Sequence, residues 1–319
     1  MDLQVMNCIL CNSNQIKKLQ TLRSADCASL YKNSFDIDVT EYFASETFIQ
    51  FHCNNCELKF FEPHLAGNEH FYIELQNKYS GYYNPKREEF EIAKKYITPE
   101  TNVLEIGAGD ASFAKIIRDK VGSYVGLEYN ELAIDKANQD GIRLIKQSII
   151  DHSKDHLKYY DTVCNFHVAE HVPQLYEFME ASISTLKVGG NLIIAVPCND
   201  DVLNDSINHH LNMPPHHISR FYLKTMKNIP QNFNLKLIDV KLTSTPNTKP
   251  QRVIRATERF KKMICKTIYR NTVLVSKNQN SLLDKMAYII LYKLRFIRLL
   301  LSMKYFKGLN MVVIYERLK

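Results

Sequence analysis

The chain has 319 residues, 45% of them hydrophobic, and a formal net charge of +7 at pH 7. That length allows one large domain or two to three smaller ones, with enough apolar residues for a real core. Low-complexity segments and internal repeats are absent, and the longest charge-free apolar stretch near the C-terminus, Met286 to Tyr292, is far short of a membrane span.

Met1-Asp2-Leu3 starts acidic, with no apolar run before Cys8, so no secretory signal is expected and the cytoplasm is the expected location. In that compartment the eight cysteines point to a metal site rather than a disulfide framework. Four of them form Cys8-Ile-Leu-Cys11 and Cys53-Asn-Asn-Cys56, two C-x-x-C pairs separated by 41 residues. Each pair can put two thiolates on one side of a tight turn, and two turns make a tetrahedral site for structural zinc. The competing readings are coincidence or a redox dithiol. His52 and His64 flank the second pair and are read as surface or core residues. Aromatic-rich stretches follow: Leu58 to Pro63, Phe71 to Gln76 and Tyr79 to Tyr83. Tyr82 and Tyr83 either close over a ligand or pack the N-terminal module on the core.

Val103-Leu-Glu-Ile-Gly-Ala-Gly-Asp110 is an apolar strand running into an acidic residue and two glycines. A helical pattern, Ala111 to Arg118, comes next, and then a second apolar strand ending on Glu128. Strand, glycine turn, helix and strand ending in a carboxylate make a nucleotide-binding half-fold. Gly107 and Gly109 let a ligand approach the backbone. Glu128, 21 residues after Gly107, suits ribose hydroxyls. A dinucleotide fingerprint needs a glycine where Ser112 stands. Glu105 would repel a pyrophosphate and suits a ligand with an ammonium group.

The E-x-G-x-G stretch resembles motif I of the class I S-adenosylmethionine-dependent methyltransferases. From about Tyr82 to Arg317 the resemblance continues in order, through Asp161-Thr-Val163, Val168-Ala-Glu-His-Val172 and Leu186-Lys-Val-Gly-Gly-Asn-Leu192. It implies a Rossmann-like α/β fold with a seven-stranded sheet and S-adenosylmethionine as cofactor. Glu105, Gly107, Ala108, Gly109, Glu128, Tyr129, Ser148, Ile149, Phe166 and His167 are its implied cofactor contacts. There are two departures: Ala111 stands where many members have a third glycine, and Gln147-Ser148 where an Asp often meets the adenine amine. Zinc knuckles ahead of such a core also resemble bacterial sugar and surface-polysaccharide methyltransferases. The resulting division is a zinc-ribbon module (1–78), the methyltransferase core (79–248), a basic helical insertion (249–307) and a final core strand (308–319).

Two segments face the transferring methyl at the carboxyl ends of the strands. One holds Asn165-Phe166-His167 with Glu170-His171. The other runs from Pro197 through His209-His210 to Pro214-Pro215-His216-His217. Imidazole titrates near neutrality and suits a base for a hydroxyl. His216 or His217 ranks first as base and His167 next, against a loop that only shapes a pocket. His171 reads as structural. No Asn/Asp-Pro-Pro-Tyr follows the fourth strand, and Cys164 and Cys198 lack the setting of a nucleophile. Oxygen, or an acidified carbon of a keto sugar, is therefore favoured as acceptor, and the resemblance to bacterial sugar and surface-polysaccharide methyltransferases implies a sugar hydroxyl of a surface polysaccharide or its precursor first, ahead of a keto-sugar carbon, a lipid or a small metabolite. The non-enzyme alternative is a zinc-bearing membrane scaffold.

Leu235 to Leu242 and Met311 to Tyr315 read as the sixth and seventh strands. Between them, residues 249–307 carry 15 Lys/Arg and two acids, a net of +13 that leaves −6 for the rest. Arg252, Arg255, Arg259, Lys262, Lys266 and Arg270 form one helical stripe, with Val253, Phe260, Ile264 and Ile268 roughly opposite. Such a helix suits peripheral contact with an anionic membrane, on its inner face, or a helical hairpin packed on the core. Nucleic acid is the weakest of the three readings, and oligomeric state is open.

Overall fold

The computed structural model describes residues 6–79, 82, 86–200, 202–244, 249–269, 273–289 and 308–319. Strands β1 (Ile16–Arg23), β2 (Thr47–Cys53) and β3 (Lys59–Glu62) form an antiparallel N-terminal sheet. The core contributes β4 (Asn102–Ile106), β5 (Ser123–Glu128), β6 (Leu144–Lys146), β7 (Tyr160–Phe166) and β8 (Leu186–Pro197). A two-residue strand, β9 (Ser219–Arg220), precedes β10 (Leu235–Leu242) and β11 (Asn310–Arg317).

The core sheet has seven strands in the order β10-β11-β8-β7-β4-β5-β6. Neighbours from β8 to β6 run parallel, while β11 is antiparallel to both β8 and β10. Strand order reverses at β4, so a crevice opens beyond the carboxyl ends of β4 and β7. Because side chains alternate across a pleat, both faces of these strands must be apolar to be covered by helices. Val103, Ile193, Ala195, Val312 and Ile314 pack on one face with Phe90, Phe113 and Ile117. Leu104, Leu192, Ile194 and Val313 pack on the other with Phe178, Met179 and Ile183.

The N-terminal sheet is not a separate bead. Its fourth strand is β9, donated by the core: Phe60 pairs with Ser219 and Lys59 with Arg220. Cys8, Ile9, Leu10, Phe51 and Phe60 share one apolar cluster with Phe221, Met226 and Ile229. A second, aromatic cluster joins Tyr31, Phe48, Phe61 and Phe71 to Met213, Val273 and Leu274.

The helices Lys249–Tyr269 and Lys277–Ala287 pack on each other through Cys265, Val275 and Leu283, with Ile207 of the core. The buried side of the first differs from the sequence expectation. Ala256, Cys265 and Lys261 face inward, whereas Ile268 is 53% exposed. Lys261 tolerates burial because Glu258 and Asp284 pair with its ammonium at 3.1 and 2.9 Å. Lys262 of the basic stripe donates to the Asn204 carbonyl. The side chains of Arg252, Val253, Arg255 and Arg270, and residues 290–307, lie outside the described residues. Among the described residues no helix is long and apolar enough to cross a membrane.

Candidate active site

Gly107 and Gly109 have φ of +72° and +54°, the left-handed region that a Cβ disfavours. A Cβ on Gly107 would also fall 2.4 Å from Val168 Cγ2. The turn is pinned from the neighbouring strand. The amides of Gly107 and Ala108 donate to the Leu127 carbonyl at 2.8 and 3.0 Å. Glu128 Oε2 accepts from the Gly109 amide at 2.7 Å, and Oε1 from the Tyr129 and Asn130 amides. Ala111 also sits left-handed, at φ 58°, where glycine would rest without the ~1–2 kcal/mol steric cost.

Glu105 points away from the crevice. It is 2% exposed and accepts a 2.5 Å hydrogen bond from the Tyr124 hydroxyl. Burial, and then the charges of Glu128 and Asp110, push its carboxyl up to about 8. Ser148 N-caps the helix Ile149–Asp155, its Oγ accepting from the Asp151 amide at 3.0 Å.

A cavity of about 980 Å³ opens at the carboxyl ends of the central strands, within the size of small-molecule sites. Gly107, Gly109, Glu128, Tyr129, Ser148, Ile149 and Phe166 line one side. His167, His171, His209, His216 and His217 line the other. Of the expected cofactor contacts, Glu105 and Ala108 stand behind the glycine turn and are not in the lining. Tyr82 and Tyr72 edge the histidine side, with ring centroids 6.0 Å from His216 and 5.6 Å from His171 respectively. Tyr83 lies outside the described residues.

His167 ends β7 in a left-handed backbone, φ 58°. Its Nδ1 is 3.3 Å from Glu170 Oε1 and its Nε2 3.5 Å from Glu89 Oε1. Burial opposes charge on this ring, but the two carboxylates outweigh it and raise its pKa. Burial likewise opposes charge on Glu89, yet the His167 partnership holds it down at about 2. The other imidazoles differ. His171 Nδ1 donates to the His216 carbonyl, His216 Nδ1 to the Leu211 carbonyl, and His217 Nδ1 to Asn212 Oδ1, at 2.5, 2.9 and 3.2 Å. Burial, then the neighbouring histidines, push His216 and His217 well below the ordinary value.

The N-terminal module braces this loop from behind. Tyr31 Oη donates to the Met213 carbonyl and the Gly67 amide to the Pro215 carbonyl, both at 2.8 Å. The Phe61 amide donates to the Ile218 carbonyl at 2.9 Å. In the same module Cys8, Cys11, Cys53 and Cys56 bring their sulfurs within 4.8 Å of one another. Asn12 and Glu57, each just after a knuckle, take φ of 54° and 68°, closing two matching turns. His52 and His64 pair with Glu57 and Glu62, at 2.9 and 2.8 Å.

Sequence reasoning missed Glu89 and Asn310, both at the histidine side. Glu89 lies in the helix Glu88–Ala93, and Asn310 opens β11, 221 residues later, with its amide on the Glu89 carboxylate. No local pattern marks such pairs; only the closed sheet brings them together.

A family model described as a methyltransferase domain matches residues 69–240, more than half of the chain. Ubiquinone biosynthesis O-methyltransferases of Yersinia pestis (strain Pestoides F) and Yersinia pseudotuberculosis serotype O:1b (strain IP 31758) are each 25% identical over 118 residues. Those residues are 35% of this chain and 49% of theirs, so the chain spans about half the length of the curated relatives it matches. A SAM dependent methyltransferase from Archaeoglobus fulgidus is 16% identical with a TM-score of 0.47, covering 78% of this chain and 100% of that one. A putative methyltransferase from Bacillus halodurans C-125 is 12% identical with a TM-score of 0.48, covering 73% and 99%. The matched residues carry the glycine turn and the histidine loop together, and the chain belongs to the methyltransferase domain family.

Proposed function

We propose that the protein transfers a methyl group from S-adenosylmethionine to a sugar hydroxyl of a cell-surface polysaccharide or its precursor. The observation that carries this reading is one cavity with two chemically different walls. The cofactor wall fits an adenosyl amino acid. The Gly107-Gly109 turn is left-handed, a Cβ on Gly107 would collide with Val168, and the Glu128 carboxylate, held by the Gly109, Tyr129 and Asn130 amides, lines the cavity as the candidate partner of the ribose hydroxyls. Ser148 and Gln147 line the same cavity and are the candidates for the adenine edge.

Bound there, the cofactor supplies a methyl on a sulfonium, whose thioether is a good leaving group. The chain has to hold the acceptor oxygen in line and take its proton. His167 is the residue suited to that proton: its Nε2 makes no hydrogen bond among the described residues and can turn from Glu89, 3.5 Å away, to receive it, while Glu170, 3.3 Å from Nδ1, stabilises the imidazolium that forms. His216 and His217, first in the sequence ranking, have no carboxylate that close; Glu170 is 3.9 Å from His217. An oxygen acceptor is also in keeping with the O-methyltransferase names of the curated relatives. His167→Asn should lower kcat by about 10²-fold or more with cofactor affinity unchanged.

The four cysteines fit a structural zinc ion. Sγ–Sγ distances of 3.5 Å (Cys8–Cys56) and 3.6 Å (Cys11–Cys53) lie near the ~3.8 Å edge of a tetrahedron with 2.3 Å zinc–sulfur bonds. We place the protein in the cytoplasm, with its basic insertion against an anionic membrane surface.

The test is methyl transfer from 13C-methyl-labelled cofactor to cell-envelope fractions, read by NMR. We expect an O-methyl resonance on glycan. Label on a carbon of a sugar, on lipid or on protein would overturn the sugar-hydroxyl reading.

A further inference from the structure

Three imidazoles at the acceptor side share an arrangement that proton chemistry does not explain. His171, His216 and His217 each commit Nδ1 to an oxygen acceptor: two backbone carbonyls and the Asn212 amide oxygen. That fixes the tautomer with hydrogen on Nδ1 and leaves a lone pair on each Nε2. The three rings crowd together, with centroids 4.5 to 4.9 Å apart.

The position they surround is short of donors. His216 is 6% exposed and its Nε2 has no hydrogen-bond partner among the described residues. Glu170 is 1% exposed and its Oε2 has none either. Glu170 Oε1 stands 3.9 and 4.0 Å from the Nε2 atoms of His217 and His171. His167 meets Glu170 through Oε1 at 3.3 Å, but Glu170 Oε2 and the His216 lone pair stay buried without a donor, an arrangement that a bound cation would relieve.

We propose that His171, His216 and His217, with Glu170 as the acidic partner, bind a divalent transition-metal ion at the acceptor wall of the cavity. Ligand atoms of the three histidines lie within 4.8 Å of one another. An ion with bonds of about 2.0–2.1 Å needs them about 3.4 Å apart, a closure of under about 1 Å per ring. Nδ1–H donation to carbonyls is the outer-shell pattern that orients imidazole ligands. The imidazole-rich set selects Fe2+, Co2+, Ni2+ or Zn2+ over Mg2+, Ca2+ or Mn2+. The three histidines line the same cavity as the glycine turn, so an acceptor hydroxyl entering it would meet the ion and be polarised. This deepens the hydroxyl-acceptor reading and rests on it only for the ion's use, not for its binding.

The test uses the full chain, with Co2+ as probe. Visible spectra separate cobalt held by nitrogen and oxygen from cobalt held by thiolates, whose charge-transfer band reports the cysteine cluster. We expect one equivalent of nitrogen/oxygen-bound Co2+ per chain, at least tenfold weaker in His171→Gln, His216→Gln and His217→Gln. It should be retained in His210→Gln, since the His210 ring packs edge-to-face on Phe35 outside the cluster. Calorimetry with S-adenosylhomocysteine establishes that each variant is folded. Absence of the nitrogen/oxygen site in wild type that binds S-adenosylhomocysteine, or its survival in a folded triple variant, overturns the proposal. A cobalt site without methylation of any hydroxyl would sink the acceptor reading and leave the metal site standing.

Discussion

Burial, with the charges of Glu128 and Asp110, raises the Glu105 pKa from 4.5 to about 8, against the Tyr124 hydrogen bond, which lowers it. Between those values the folded chain holds a proton that the unfolded chain has released. Its contribution to stability is therefore fully present below about 4.5 and is lost as pH rises to about 8. The expected loss is on the order of several kcal/mol, read by urea unfolding across that window. Glu105→Gln should flatten the slope; an unchanged slope would show that Glu105 ionises normally. Gly107→Ala meets both a φ of +72° and Val168 at 2.4 Å, so cofactor affinity should fall by more than about tenfold. The glycine turn was legible because its signal is local, two glycines between a strand and a helix. The direction in which Glu105 points was not, because that depends on Tyr124, 19 residues on, closing over it.

Among the elements, the histidine loop owes its shape to a partner far away in sequence. β3 pairs with β9 across more than 150 residues, and Tyr31 caps the Met213 carbonyl from 182 residues upstream. Tyr31→Phe removes one of the hydrogen bonds to that carbonyl, which keeps the His216 and His217 amides at 3.1 and 3.0 Å, and should cost about 0.5–1.5 kcal/mol in chemical denaturation. Stripping metal from the cysteine cluster should reduce methyl transfer more than it reduces S-adenosylhomocysteine affinity, because the loop and not the glycine turn leans on the module. Equal losses would mean that the module supports the whole core. Two C-x-x-C pairs announced a four-cysteine cluster from sequence alone. That their sheet is completed by the core was hidden, since a two-residue strand has no periodicity to read.

At the scale of the molecule, charge is segregated, with +13 in residues 249–307 and −6 elsewhere. The insertion leaves the sheet after β10 and returns at β11, where Thr243 and Asn310 exchange hydrogen bonds. Yet it is not a free appendage, since Val273 and Leu274 pack with the N-terminal aromatics. Deleting it would open that core, so surface substitutions test it better. Ile254, Met263 and Ile268 are exposed on the long helix, at 61, 60 and 53%. Replacing all three with serine should reduce flotation with anionic vesicles, and added salt should weaken binding further. Equal flotation of both forms would remove the membrane from the account. The seven-stranded sheet was legible because ordered motif blocks fix strand order. The buried side of the insertion was not, because Lys261 is neutralised by Asp284 of the next helix.

The central claim is that the cofactor lies against the Gly107–Gly109 turn with Glu128 beside it. Calorimetric titration of S-adenosylhomocysteine into wild type and Glu128→Ala tests that most directly. The account predicts one site per chain in wild type and at least a tenfold loss of affinity in the variant. Equal affinity in the two, or no binding to wild type, would contradict it.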